Sequence, residues 1–413
     1  MKITEIESIH AGQFLFVRIK TDAGIHGIGE GGVWGHIEAA KVAIDKFATY
    51  LVGKDPFPIE HHWNVMHRFS YFQGHAINAA ISAIDIALWD IKGKALGVPI
   101  YELIGGAVRD KARVYGHVYE KSIDRILESL QRQKDRGFTA VGHINPFLDE
   151  GEDQVYFEPH ITKMRKAIDN VRRMREVAGD DMDLCIEIHR RLTPAEAIVL
   201  AQGIEEYHPM FIEDPMRYED ADSMARIADR IRIPIATGER FTTIGMCSDE
   251  HVADKVVTAL NALQGTITTI YEFQALLRRN AVEYARVDVC LCGGITGAKK
   301  VAALAEANNV MVVPHNPLSP VGLMACLQVA ASIPNFAIQE YATGFESNVF
   351  TTTQNHLGFD VVDEVPQVID GFVSIPDRPG LGIDLVDDPS SVRPPLSKPV
   401  LMRMHRDGSP VDQ

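Results

Sequence analysis

Eight short apolar segments, each followed by an amphipathic stretch, constrain the fold of this chain more than any other feature. A strand-then-helix rhythm of this kind is typical of parallel β/α units. Eight units close a barrel, whereas open doubly wound sheets usually have fewer strands. We therefore predict an α/β fold with a (β/α)7–8 TIM-like barrel. The segments are RVYGHVY, TAVGHIN, LCIEI, MFIEDP, IPIATGE, ARVDVCL, VMVVPH and FAIQEY.

The residues before the barrel have a different pattern of apolar and polar residues. Residues 1–112 contain alternating apolar and polar runs around a turn, followed by helical patterns that end at Gly97-Val98-Pro99. We expect this block to be an α+β capping domain and residues 113–355 to be the barrel. Residues 356–413 should pack back on the capping domain and end in a tail rich in Pro and Ser. The length of 413 residues allows this division.

The net charge, the first residues and the cysteine spacing indicate which partners and which cellular location to expect. A formal net charge of −15 argues against nonspecific binding to nucleic acid or to anionic membranes. The opening MKITEIESIHAG lacks a basic stretch followed by an apolar one, and no apolar run approaches membrane-spanning length, so we expect a cytoplasmic protein. Five scattered cysteines form no CxxC pair and are expected to be reduced thiols, with Cys290 and Cys292 packed in the core.

Acidic residues stand at the ends of three consecutive predicted strands. Glu187, Glu213 and Glu239 close the contexts IEIH, FIEDP and TGER. The carboxyl ends of barrel strands point into one cup, so these side chains should converge there. Clustered carboxylates repel one another, and a hard cation that prefers oxygen ligands removes that cost. The pattern indicates a Mg²⁺ site.

The spacing between Glu239 and Asp288 is nearly twice the spacing between the other strand ends. Either a whole β/α unit lies there, or the loop after the fifth strand carries an insertion near 241–270. We favour the insertion, because eight strands are already counted without it. A long loop on this face commonly acts as a lid or subunit contact, which favours a homo-oligomer.

The ordered motifs IEIH, FIEDP, TGER, DVCLCGGIT, PHNPLSP and QEY, together with ALWDIKGKALGVPIYELIGG, resemble the enolase superfamily in its mandelate racemase-like branch. The resemblance covers nearly the whole chain and implies an enolase-like capping domain over the barrel. It also implies that Glu187, Glu213 and Glu239 bind Mg²⁺, although the first of these positions is commonly Asp in this branch.

The resemblance further implies a catalytic dyad and a hydrogen-bond donor. Asp288 and His315 match the family's Asp–His pair, in which the carboxylate orients an imidazole base. Glu340 matches the eighth-strand Glu, which in relatives donates a hydrogen bond to the enolate oxygen. That donation requires a protonated carboxyl, and burial in the cup would favour it.

His189 distinguishes among the activities of this branch. It follows Glu187 by two positions and resembles the histidine that protonates the departing hydroxyl in the galactonate and mannonate dehydratases. The second strand reads AVGHINPF, without the Lys-x-Lys of the racemases; His143 and Asn145 are candidate substrate contacts there. Loops of the capping domain supply further candidates. These are Trp34, Phe69, Tyr71 and Gln73.

These residues favour a lyase, a hydro-lyase that dehydrates a sugar acid such as galactonate, gluconate or mannonate to a 2-keto-3-deoxy acid. PHNPLSPVG is similar to galactonate dehydratases, whereas HRRLTP and NFAIQEY are similar to mannonate dehydratases. Two alternatives remain open. One is a racemase or epimerase at the α-carbon of a carboxylate, with His143 as the second base, and the other is a non-catalytic barrel with a regulatory role.

Overall fold

The computed structural model of the chain describes residues 1–33, 35–70, 74–148, 158–217, 220–241, 269–342, 357–400 and 402–411. Its strands are β1 (Ile3–Ala11), β2 (Phe14–Thr21), β3 (His26–Gly31), β4 (Lys111–His117), β5 (Ala140–Ile144), β6 (Asp183–Glu187), β7 (Phe211–Glu213), β8 (Ile235–Thr237), β9 (Tyr284–Ala285), β10 (Met311–Val312), β11 (Gln339–Tyr341), β12 (Val368–Ile369) and β13 (Phe372–Ser374). Its helices are α1 (Ile37–Leu51), α2 (Ile59–Arg68), α3 (His75–Leu96), α4 (Ile100–Leu103), α5 (Ile123–Asp135), α6 (His160–Ala178), α7 (Pro194–Ile204), α8 (Ala221–Ala228), α9 (Thr269–Leu277), α10 (Gly294–Ala307), α11 (Pro320–Ser332) and α12 (Pro389–Val392).

The N-terminal part of the chain is an antiparallel sheet covered by a long helix. Strands β1, β2 and β3 pair in sequence order, and α3 packs against β3. Glycines recur at every second position of β3, and a Cβ on Gly29 would lie 2.0 Å from the Ala83 carbonyl oxygen. The strand and helix therefore approach more closely than any larger residue on that face would allow.

The predicted barrel rhythm is confirmed, because each of the eight apolar segments overlaps one of the strands β4 to β11, although β9 shares only Ala285 with its segment. Strands β4 to β10 pair in parallel with their neighbours in chain order, and β11 pairs back onto β4. Among the described residues no ladder joins β10 to β11. An isolated bridge links Val312 of β10 to Phe336, just before β11: the Val312 N–H donates to the Asn335 carbonyl and the Ala337 N–H donates to the Val312 carbonyl. The eight strands thus follow the order of a barrel, with a single bridge near the last junction.

The apolar strand sequences follow from burial on both faces. Every residue of β7 and β8 is buried, which is expected of a parallel sheet surrounded by helices. Two of the helices begin at side-chain caps: Thr193 and Glu196 form a capping box at α7, and the Ser319 hydroxyl accepts from the Val321 N–H at α11.

The C-terminal part of the chain contacts both preceding parts. Strand β13 pairs antiparallel with the first residues of β4, and the Gly12 N–H donates to the carbonyl of Arg393 at the end of α12. The Arg18 guanidinium donates to the Val386 carbonyl. The domain limits at 112 and 355 remain a prediction. Across the described residues, no helix has the length and apolar character needed to cross a bilayer.

The N-terminal part meets the barrel at the carboxyl ends of its last strands. Buried Glu30 on β3 accepts from the Ser319 hydroxyl at 2.6 Å and from the Gly322 N–H at 2.8 Å. The Trp63 indole on α2 donates to the Gly293 carbonyl just before α10. These contacts hold the capping elements over the loops that follow the strands.

Candidate active site

Three buried carboxylates converge at the ends of consecutive strands. Glu187 ends β6, Glu213 ends β7, and Glu239 follows β8. The parallel register pairs Glu187 directly with Glu213, which places them side by side. One carboxylate oxygen from each of the three lies within 4.8 Å of the others, so a single cation could be held among them. We call this group the carboxylate triad.

The buried charges of the carboxylate triad favour the binding of a cation. Burial, followed by the charges of Glu213 and Glu239, raises the pKa of Glu187 well above its ordinary value. Burial also raises the pKa of Glu239 to about 8, even though the nearby His315 lowers it. Keeping all three groups ionised therefore costs free energy that a bound cation recovers. Three oxygen donors fit a hard divalent ion of the kind that enolase-superfamily members bind.

Arg286 is a buried cation that sequence reasoning missed. Its side chain is 1% exposed. Its Nε donates to Glu213 at 2.5 Å, its Nη2 donates to Glu340 at 2.7 Å, and its Nη1 reaches the carbonyls of Val313 and Pro314. The signal in the sequence was that Arg286 is a basic residue within the predicted strand segment ARVDVCL, two positions before Asp288.

The predicted Asp288–His315 contact is present beside the triad. The Nδ1 atom of His315 lies 2.8 Å from the Asp288 carboxylate, whose other oxygen accepts from the Cys290 N–H. The Nε2 atom of the same ring lies 3.2 Å from Glu239. Burial lowers the pKa of His315, but the charges of Glu239, Glu340 and Asp288 outweigh it and raise the pKa to about 10.

Glu340 differs from the expectation carried by the resemblance. Its carboxylate accepts from Arg286 and from the Asn316 N–H at 2.8 Å, and it lies 2.8 Å from Nε2 of His117. Burial raises its pKa, but Arg286, His315 and His117 hold the pKa well below its ordinary value. Glu340 is therefore ionised and accepts hydrogen bonds, whereas the expected donation to an enolate oxygen requires a protonated carboxyl.

His189 and His143 lie together at the Glu187 end of the triad. The main-chain N–H of His189 donates to the Glu187 carboxylate at 2.8 Å. The imidazole rings of His189 and His143 lie 4.7 Å apart, edge to face. Burial, followed by the neighbouring His143 and Arg191, lowers the pKa of His189 well below its ordinary value. His189 is therefore neutral in the protein without ligands.

The remaining candidate contacts are divided between described and undescribed residues. Asn145 is buried and lines a shallow cleft together with His143. Phe69 lies at the end of α2 and is 60% exposed. Trp34, Tyr71 and Gln73 lie outside the described residues, as does almost all of the predicted 241–270 insertion. Cys185, Cys290, Cys292 and Cys326 are buried free thiols.

Comparison with known proteins identifies the family. The N-terminal domain of the mandelate racemase / muconate lactonizing enzyme family matches residues 2–105, and the enolase C-terminal domain-like family matches residues 125–263 and 262–389. The chain is 33% identical to D-galactonate dehydratase of Verminephrobacter eiseniae over 420 residues, covering 99% of each chain. It is also 33% identical over 419 residues to D-galactonate dehydratase of Xanthomonas oryzae pv. oryzae, again covering 99% of each.

Solved structures agree with this relationship. An enolase from Agrobacterium radiobacter, with bound sodium and L-malate, superimposes with a TM-score of 0.86 at 26% identity and full coverage of both chains. The 3,6-anhydro-D-galactonate cycloisomerase of Zobellia galactanivorans superimposes with a TM-score of 0.77 at 27% identity, covering 95% of this chain and 99% of that one. The chain belongs to the mandelate racemase / muconate lactonizing enzyme family of the enolase superfamily. It is an enzyme of the dehydratase class, the hydro-lyases.

Proposed function

We propose that this enzyme catalyses the Mg²⁺-dependent dehydration of a sugar acid, an aldonate such as galactonate, gluconate or mannonate, to a 2-keto-3-deoxy sugar acid. One observation carries the proposal: two imidazoles flank the carboxylate triad. Nε2 of His315 lies 3.2 Å from Glu239 at one end, and a ring nitrogen of His189 lies within 4.8 Å of a Glu187 carboxylate oxygen at the other. Dehydration needs one group to take the C2 proton and another to protonate the C3 hydroxyl. The galactonate dehydratases among the relatives support the substrate class.

Glu187, Glu213 and Glu239 would hold the magnesium ion. Their three oxygen donors match its preference for carboxylate and water ligands. The bound ion would neutralise the negative charge that develops on the substrate carboxylate as the C2 proton leaves.

His315 is the proposed base. Asp288 contacts Nδ1, which leaves Nε2 directed at the triad. The C2–H bond breaks, the proton moves to Nε2, and the electron pair enters an enediolate over C1 and C2. The charge of Glu239 is the largest effect raising the pKa of His315, so neutralisation of Glu239 by a cation frees this ring to accept a proton.

His189 is the proposed acid. As the C3–O bond breaks, the His189 ring donates a proton to the departing oxygen, which leaves as water. The enediolate electrons form the C2–C3 double bond, and the resulting enol tautomerises to the 2-keto acid. The ring is neutral without ligands because it is buried. An anionic substrate placed beside it favours the protonated form.

The test is a screen of the purified enzyme with Mg²⁺ against a panel of aldonates and aldarates, with semicarbazide detection of keto acids. We expect keto-acid formation from at least one aldonate, accompanied by the loss of one water. Parallel reactions in D₂O report exchange at C2. Exchange at C2 without water loss would instead favour the racemase or epimerase. Absence of both reactions across the panel would favour the non-catalytic alternative.

A further inference from the structure

We infer that His143, Glu187 and His189 form a second cation position, adjacent to the carboxylate triad and selective for a transition-metal ion with affinity for nitrogen. One ligand atom from each of these side chains lies within 4.8 Å of the others. Glu187 belongs to both groups, and its carboxylate has two oxygens. This inference concerns metal binding by the protein without substrate, because an ion on the His189 ring would occupy the group that the proposed dehydration uses as its acid.

The chemistry of the three donors separates this position from the triad. Two imidazoles and one carboxylate are ligands that suit Fe²⁺, Co²⁺, Ni²⁺ or Zn²⁺, whereas Mg²⁺ prefers oxygen. The triad itself consists of three carboxylates. A mixture of cations should therefore divide between the two positions according to ligand type.

A bulge in β5 helps to bring His143 to this place. The β5–β6 pairing runs from Val141 opposite Leu184 to Ile144 opposite Ile186, so β5 has one extra residue between paired positions. His143 lies within this irregularity at a φ of 55°. Bulges redirect side chains and are common beside functional sites.

The backbone at His189 has the same left-handed conformation, with a φ of 52°. Such a conformation costs about 1 kcal/mol or more for a residue other than glycine and persists only where the surroundings enforce it. Here the His189 N–H donates to Glu187 and the following Arg190 N–H donates to the Asp214 carbonyl. Both histidines of the group are thus held in strained conformations that direct them towards the same carboxylate.

Neighbouring aromatic rings fix the His143 imidazole. It stacks on His117 with a ring separation of 5.2 Å and a tilt of 28°. The ring of Tyr119 lies 5.4 Å from the His143 imidazole. Metal affinity increases when the surroundings hold a ligand in a single orientation.

The test disables the triad without removing a donor of the second position. In Glu239→Gln protein, Co²⁺ binding is measured by equilibrium dialysis and visible absorption, without substrate. We expect about one Co²⁺ per chain with an absorption band typical of nitrogen ligation. Adding His143→Gln should weaken binding about tenfold or more and remove that band. Adding His160→Gln, at the exposed start of α6, should change neither.

Two results would overturn the inference: no Co²⁺ binding by the Glu239→Gln protein, or equal binding by its His143→Gln and His160→Gln derivatives. Circular dichroism checks that each variant is folded. If Glu239→Gln does not fold, the same comparison is made between His143→Gln and His160→Gln single variants in saturating Mg²⁺. There the expected result is again a loss of nitrogen-ligated Co²⁺ only in His143→Gln.

Discussion

Replacing Arg286 by methionine should destabilise the enzyme by about 3–5 kcal/mol in the absence of a divalent cation. Methionine retains much of the apolar volume but removes the charge. The change leaves Glu213 and Glu340 buried without their shared counter-ion. Removing one partner of a buried ion pair typically costs about 3–5 kcal/mol. Two hydrogen bonds to charged groups, at about 1.5–3 kcal/mol each, give a similar total of about 3–6 kcal/mol.

Saturating Mg²⁺ should recover part of that loss. A cation bound among the three carboxylates takes over the neutralisation of Glu213, and a ligand that binds only the folded state stabilises it. We therefore expect Mg²⁺ to stabilise the Arg286→Met protein more than the wild type. The free energy of unfolding is measured by urea denaturation with and without Mg²⁺.

Arg175 provides the matched control, because its guanidinium donates to main-chain carbonyls, including those of Tyr207, Gly179 and Met182. Arg175→Met should also destabilise the protein, but Mg²⁺ should not recover that loss. A cost below about 1 kcal/mol for Arg286→Met would refute the argument that this guanidinium neutralises buried carboxylates. Equal Mg²⁺ effects on the two variants would refute its link to the triad.

Three further predictions test other parts of the structure. Gly29→Ala should destabilise the fold by about 2–3 kcal/mol in urea denaturation, because the new Cβ meets a carbonyl of α3; a cost below about 0.5 kcal/mol would show that the strand and helix separate easily. Burial raises the pKa of Asp384, but His26 and Lys94 outweigh it and lower the pKa to about 2, so Asp384→Asn should cost about 2 kcal/mol at pH 7. That difference should shrink as the pH falls from about 4 towards 2, where the folded-state carboxyl also protonates, and a difference independent of pH would contradict it. In the metal-free protein, Glu239→Gln should lower the pKa of His315 from its value of about 10, because the charge of Glu239 is the largest effect that raises it. NMR titration of the imidazole measures this pKa, and an unchanged value would rule out Glu239 as the main charge that raises it.

The sequence predicted those features that depend on local pattern. Strands β7 and β8 lie within short apolar runs, because every residue of both strands is buried. Glu187, Glu213 and Glu239 could be placed together because parallel strands deliver their carboxyl ends to one side. The contact between Asp288 and His315 followed from the resemblance of their motifs to the family.

Features that depend on tertiary packing could not be predicted in the same way. The ionised state of Glu340 is set by Arg286 after β9, by His315 and by His117 on β4, which are distant from one another in sequence. Burial alone favours a neutral carboxyl, and only the contacts show that donors outweigh it. The grouping of His143 with His189 depends on a bulge in β5, which the alternation of the strand sequence does not reveal.

In the proposed reaction, His315 takes the C2 proton and His189 protonates the departing hydroxyl of the same substrate. To separate these two roles, C2 exchange in D₂O and water loss are followed side by side in His189→Asn and His315→Asn, using a substrate found in the screen. We predict C2 exchange without water loss in His189→Asn, and neither reaction in His315→Asn. Water loss that persists in His315→Asn would contradict the account.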